Sequence, residues 1–184
     1  VSLFPVFPPE EDTTHIASYM ARSIESAGLL MNAGCVFEDA FKTAFMAPET
    51  PIAEELGPVV IHPGSGSRKK NYPPAFWLEL IKGIKSEQLD NSQKIIMLLG
   101  PAEEDIIKFF RDNLNDGDVE LKVLPSTEEL TSILGRASVY IGHDSGVTHL
   151  AAMLGIHVIA LFKDSRIDQW RPLGPNVRII ANGN

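Results

Sequence analysis

Residues 139–162, VYIGHDSGVTHLAAMLGIHVIALF, decide the fold. The run ending at Gly142-His143-Asp144 is short and apolar, as a buried strand requires. SGVTHLAAMLG (145–155) has a helix start at Ser145 or Gly146. HVIALF (157–162) is a second apolar run. Strand, helix and strand follow one another with hardly a loop residue to spare.

The same alternation extends outward in both directions. PVVIHPG (58–64) is a strand, PPAFWLELIKGIK (73–85) a helix, and KIIMLLGP (94–101) a second strand. AEEDIIKFFRDNL (102–114) is an amphipathic helix and VELKVLP (119–125) a third strand. STEELTSILGRA (126–137) opens with a capping box, Ser126 to Glu129, and is a third helix. VRIIA (177–181) supplies a sixth strand. Apolar strands alternating with amphipathic helices imply an α/β fold, a Rossmann-like parallel sheet with helices on both faces. Trp77 and the Phe109–Phe110 pair read as core.

Upstream the pattern is weaker. Residues 1–11 are too proline-rich for helix and read as an extended connector. Residues 12–29 read as a helix, capped by Asp12 or Thr13 and stopped at Gly28. CVFEDAFKTAF (35–45) reads as strand then turn, and TPIAEEL (50–56) as a short helix; neither suggests a function. The expected division is therefore an arm with one helix and an irregular segment over 1–57, and one domain over 58–184.

Composition bounds the function. A chain of 184 residues makes one domain, or one domain with a short arm. Its 16 basic and 24 acidic side chains leave a net charge of −8, which argues against a duplex nucleic-acid binder. Cys35 is the sole cysteine, so no intrachain disulfide forms, and a reducing compartment fits. No Cys/His spacing of the zinc type is present, and a metal site is not expected. No apolar run reaches the ~18 residues of a membrane span, and no signal peptide is recognisable. The first residue is Val1 rather than Met, which suggests processing or truncation.

Ligands of open parallel sheets bind beyond the carboxyl ends of the strands. The loops to read are therefore Pro63–Pro73, Gly100–Glu104, Pro125–Glu129, His143–Thr148 and Phe162–Pro172. The first, HPGSGSRKKNYPP (62–74), combines small residues with the hydroxyls of Ser65 and Ser67. It also holds the densest basic cluster of the chain, Arg68-Lys69-Lys70. That combination suits a phosphate, or else it is a flexible loop with solvated lysines. The Walker spacing GxxxxGK[ST] is absent.

In GHDSG (142–146), Asp144 and Ser145 either cap the helix or frame an anion site at its free amides. Ser145 is fourth of five, so the hydrolase elbow G-x-S-x-G does not fit. His149 follows one turn into the helix. Glu103 sits where a carboxylate can accept bonds from sugar or ribose hydroxyls, or simply complement the helix dipole. His62 and His143 border the same edge with nothing to mark either as acid or base. Trp170 either plugs its loop or shields a ligand.

The motifs HPGS (62–65), KNYP (70–73), LLGPAEE (98–104), HDSGVTHLAAMLGIHVIALF (143–162) and WRPLGP (170–175) occur in the order found in glycosyltransferase family 9. Over about residues 58–180 the chain resembles the C-terminal, nucleotide-sugar-binding half of those lipopolysaccharide heptosyltransferases. They have the two-domain GT-B arrangement. The resemblance implies that Ser65, Gly66 and Ser67 meet the donor diphosphate and that Lys70 balances its charge. It implies that Glu103 binds the ribose hydroxyls. Asp144, Ser145, Gly146 and His149 would hold the diphosphate and the sugar. Tyr72 stands where the family usually has tryptophan.

The resemblance also implies what lies elsewhere. The acceptor site and the catalytic base belong to the family's N-terminal domain, for which 184 residues leave no room. The chain is expected to be an excised C-terminal half, binding donor but transferring nothing alone. The implied parent performs inverting transfer from a nucleotide-sugar such as ADP-heptose to a lipid-linked saccharide acceptor. Its implied place is the cytoplasm, at the inner face of the inner membrane with peripheral association, and no cofactor is implied. Two further readings stay open: a UDP-sugar-dependent transferase or epimerase, and a binding module for nucleotide or phosphate with no chemistry.

Overall fold

Val59–His62 (β1) is buried at every position, and it takes a place in the middle of the sheet for that reason. The computed structural model describes residues 8–26, 57–87, 93–100, 103–114, 117, 119–123 and 125–181. The predicted elements within 30–56, Cys35 and the Gly28 stop lie outside the described residues. After a first helix, Ile16–Ser26 (α1), come β1, a 3-10 turn at Arg68–Lys70 and helix Pro74–Glu87 (α2). Next are Ile95–Leu99 (β2), Glu104–Asn113 (α3), Glu120–Val123 (β3) and Thr127–Gly135 (α4). The chain continues through Val139–His143 (β4), Gly146–Met153 (α5), His157–Phe162 (β5), Ile167–Trp170 (α6) and Val177–Ala181 (β6).

All pairings are parallel, and the order is β3-β2-β1-β4-β5-β6. The chain winds outward from β1 to β3, then returns to the other side of β1 for β4. The crevice between β1 and β4 is thus the point where the order reverses, the place where such sheets bind ligands.

Side-chain alternation along the strands sorts the core into two layers. Val60, Tyr140, Val158 and Ala160 pack under Ile133 and Leu134 of α4 and Ala151 and Ala152 of α5. Val59, Ile61, Ile141 and Leu161 face the other way, against Trp77 and Ile81 of α2 and Phe110 of α3. Trp77 and Phe110 have no exposed surface, as expected of core; Phe109 is only partly buried at its edge. Burying an apolar side chain of this size contributes about 1.5–3 kcal/mol.

Several expectations change in detail. The first helix starts at Ile16, not at residue 12. The Asp12 carboxylate closes a turn on the Thr14 amide, and His15 Nδ1 accepts the Ala17 amide, so the histidine ring holds the helix start. The third strand is an edge strand and is partly exposed along its length. Its Glu120 pairs with Lys94 and Lys122 instead of facing a core. Ser126 caps α4 through the Glu129 amide, but the Glu129 carboxylate turns to Lys122, leaving half a capping box. The DQWRPLG loop contains a turn of helix, α6.

The described part of the N-terminal arm docks on that turn. Gln169 donates to the Asp12 carbonyl at 2.7 Å, His15 Nε2 to that of Arg171 at 2.9 Å, and Arg166 to that of Glu10. Among the described residues no helix is long and apolar enough to cross a membrane.

Candidate functional site

The register of β1 on β4 brings the two loops together. His62 lies opposite Gly142, so residues 63–65 and 143–146 leave the sheet side by side. Gly142 has to lack a side chain: a Cβ there would stand 2.5 Å from the Tyr140 hydroxyl oxygen, which folds over it on the same face. That hydroxyl meets Thr148 Oγ1 at 3.1 Å, and burial pushes the phenol pKa upward. Thr148 donates its own hydrogen to the His143 carbonyl, which ties the first turn of α5 back to its strand.

Ser145 is the cap of α5, accepting the Thr148 amide, and the helix begins at Gly146. The amides of Gly146 and Val147 come too early for an intrahelical acceptor. Asp144 does not cap. Its carboxylate, almost fully buried, takes the Lys70 ammonium at 2.8 Å and lies 3.6 Å from His149 Nε2. Burial works to raise its pKa. His149, Lys70 and Ser165 outweigh burial and bring it down to about 2, so the group is ionised. Lys70 is one-third exposed and also faces the Trp170 ring at 5.9 Å. One of its three donors serves Asp144. Trp170 therefore flanks the lysine.

The basic cluster splits. Arg68 turns away to an exposed pair with Asp105, Lys69 is exposed, and only Lys70 enters the site. Ser65 is buried, and its hydroxyl lies 2.6 Å from Asn71 Oδ1 and 2.9 Å from the Ser67 carbonyl, which shapes the loop from within. Gly66 is exposed at the rim and Ser67 half-buried beside it.

A cavity of about 370 Å³ opens between these loops and the start of α3. It is walled by Ser65, Gly66, Gly100, Ser145, Gly146 and Val147, with Leu130 and Leu150 as an apolar side. Glu103 lines it and is 2% exposed. Burial works to raise the Glu103 pKa. The facing His62 and the Gly100 amide, donating at 2.6 Å, overcome that and hold it below its ordinary value. Oε2 takes both of those contacts; Oε1 is buried without a hydrogen-bond partner. A buried carboxylate oxygen with no partner, on a side chain that lines a cavity, calls for a donor from a ligand.

Every predicted site residue thus falls on one edge of the sheet. Lys70, Asp144 and His149 form one group. Glu103, Ser145, Gly146, Ser65 and Gly66 line the cavity, with Ser67 at its margin. Two residues were under-read. His143 is a structural pin: its Nδ1 donates to the Pro63 carbonyl at 3.0 Å and its Nε2 accepts the Tyr72 amide at 2.9 Å. Tyr72 stacks on its ring, and Trp77 meets that ring edge-on. Burial drops its pKa to about 4, so it is neutral and locks the basic loop onto β4. His62 spans Glu103 and Ser145. The only signal for either was its place at a strand end.

The sequence model of glycosyltransferase family 9 (heptosyltransferase) matches residues 32–184. The chain belongs to glycosyltransferase family 9. A curated relative of the family member, a Haemophilus influenzae protein provisionally assigned as a glycosyltransferase, is 26% identical over 129 residues. That match covers 67% of this chain and 36% of the relative. Among solved structures, the family 9 glycosyltransferase of Veillonella parvula superposes with a TM-score of 0.67 at 14% identity, covering 96% of this chain and 51% of that one. Escherichia coli heptosyltransferase WaaC, solved with ADP, gives 0.64 at 19%, covering 94% and 52%. E. coli ADP-heptose LPS heptosyltransferase II gives 0.60 at 18%, covering 78% and 43%. The six-stranded parallel sheet is the Rossmann-like fold of these GT-B heptosyltransferases, and this family 9 chain spans about half or less of their lengths.

Proposed function

We propose that this chain is the donor-binding half of an inverting glycosyltransferase that uses a nucleotide-sugar, with ADP-heptose as the donor class. The observation that carries the reading is one cavity flanked by two complementary groups. At one side the free amides of α5 offer donors, beside the Lys70–Asp144 pair; at the other stands Glu103, whose buried Oε1 has no hydrogen-bond partner. A nucleoside diphosphate carries both complements, anionic phosphates and ribose hydroxyls. The apolar side at Leu130 and Leu150 suits a base.

In this reading Lys70 and the helix start stabilise the charge that develops on the departing diphosphate. Asp144 holds Lys70 in place and accepts from a sugar hydroxyl, with His149 beside it. Because Asp144 already neutralises much of Lys70, ground-state affinity for the diphosphate is modest. The base that activates the acceptor hydroxyl belongs to the part of the enzyme this chain does not include, together with the site for a lipid-linked saccharide of lipopolysaccharide core. The whole enzyme works in the cytoplasm at the inner face of the inner membrane, held there peripherally. The donor itself is the only small molecule required, and no separate cofactor is involved.

Titration calorimetry of the chain with ADP, UDP and ADP-heptose tests this. Saturable binding of the adenine ligands is expected, lost in a Lys70→Ala, Asp144→Ala double variant, with no transfer of sugar by the chain alone. Preference for UDP would move the donor class. Absence of any nucleotide binding, or transfer by the isolated chain, would overturn the assignment.

A further inference from the structure

We infer that His62 is a positioning residue that couples the hydroxyl at the α5 start to the Glu103 carboxylate, and so sets recognition of the nucleotide's ribose hydroxyls. The inference rests on the donor-site reading above. His62 ends β1 and is 6% exposed. Its Nε2 stands 3.6 Å from Glu103 Oε2, and its Nδ1 stands 3.4 Å from Ser145 Oγ. Both are long contacts, of the kind that tightens when a ligand fills the site.

Hydrogen counting gives the direction of the contact to Glu103. Glu103 is ionised and can only accept, so Nε2 carries the ring proton. Nδ1 faces the Ser145 hydroxyl, which also has Thr148 Oγ1 as a nearer acceptor at 3.1 Å. The Ser145 oxygen already accepts the Thr148 amide, and the Thr148 hydroxyl spends its one hydrogen on the His143 carbonyl. His62 thus stands between the Ser145 hydroxyl and Glu103, with its Nε2 directed to Oε2. Oε1 is buried with no hydrogen-bond partner, on a side chain that lines the cavity.

The carboxylate has little freedom of its own. Gly64 presses on Oε1 so closely that a Cβ would lie 1.5 Å from it, and the Gly100 amide holds Oε2 at 2.6 Å. His62, which lines the same cavity, supplies the remaining restraint. Without an N–H at the Nε2 position, the carboxylate loses a contact that fixes its orientation.

The two amide side chains separate this role from mere packing. In H62Q the amide nitrogen reaches the place of Nε2 and can still donate to Glu103. In H62N it reaches only the place of Nδ1. Affinities for ADP and for 2′,3′-dideoxy-ADP are measured by calorimetry on the wild-type chain and both variants. A ribose contact to a charged acceptor predicts a wild-type preference for ADP of ~10-fold or more. H62Q is expected to keep it and H62N to reduce it to within ~3-fold of unity. Long-range ¹H–¹⁵N spectra of wild-type His62 provide a second readout that needs no variant, with the proton expected on Nε2.

An undiminished preference in H62N, equal loss in both variants, or a proton on Nδ1 would overturn the role of His62 while leaving the donor site intact. Failure of the wild-type chain to bind ADP would remove the donor-site reading, and this inference with it.

Discussion

Replacing Gly64 by alanine should damage the site through one side chain, and the structure sets the size of the effect. A Cβ at residue 64 would lie 1.5 Å from Glu103 Oε1, 2.0 Å from its Cδ and 2.6 Å from its Cγ. Ordinary contact needs more than 3 Å, so the carboxylate must retreat by roughly 2 Å. That breaks the 2.6 Å bond from the Gly100 amide, a charge-assisted bond worth about 1.5–3 kcal/mol. The backbone itself raises no objection. Gly64 is not among the glycines at positive φ, and in such a place alanine gains about 0.4–1 kcal/mol from the unfolded chain. The net cost expected is about 1–2 kcal/mol.

In a Glu103→Ala background the clash is gone, and the same substitution should be neutral or slightly stabilising. The cycle formed by the four proteins should therefore show a coupling of about 2 kcal/mol. Urea unfolding followed by the fluorescence of Trp77, which is fully buried, measures it. ADP titration of Gly64→Ala should show affinity weakened at least ~10-fold. If Gly64→Ala is as stable as wild type, or costs the same with and without Glu103, the clamp on the carboxylate is not what the glycine is for.

Two further outcomes follow from the same geometry. His143 is buried and neutral with its pKa lowered to about 4, so only the unfolded chain binds a proton there between about pH 6.5 and 4. Stability is full above that window and should fall by about 3 kcal/mol across it; denaturant melts at stepped pH should show a shallower fall in His143→Gln. Asp144, depressed to about 2, adds stability above about pH 4 that disappears as the pH falls toward 2. Lys70→Met should leave the Asp144 carboxylate without its ammonium, cost about 1 kcal/mol given the partial exposure of the lysine, and weaken ADP binding. Adding Asp144→Asn should restore the melting temperature but not the affinity, and recovery of both would remove Lys70 from the ligand site.

The parallel sheet was legible because its signals are local. Burial on both faces makes a strand such as Ile95–Leu99 apolar at every position, and helices such as Glu104–Asn113 carry their stripe within three turns. The misreadings were also local in appearance. Asp12 looked like a cap, but its carboxylate closes a turn one step earlier and the His15 ring takes the capping role. VELKVLP looked like any other strand, yet its charges mark a sheet edge.

The chemical content of the loops could also be read from the sequence alone: hydroxyls and a lysine after β1, a carboxylate after β2, an Asp-Ser-Gly helix start after β4. Motif order was enough to suggest the family. Partnership was not legible, because it depends on contacts across the fold. Of three adjacent cations, Lys70 alone reaches Asp144, 74 residues away, while Arg68 turns to Asp105. Ser145 meets His62 across 83 residues, and the Gly64 backbone presses on Glu103. Periodicity and capping depend on neighbours within a turn, so composition along the chain determines them. Which charge is neutralised and which carboxylate oxygen stays unpartnered depend on strand order and register. These distances exist only once β1 lies between β2 and β4.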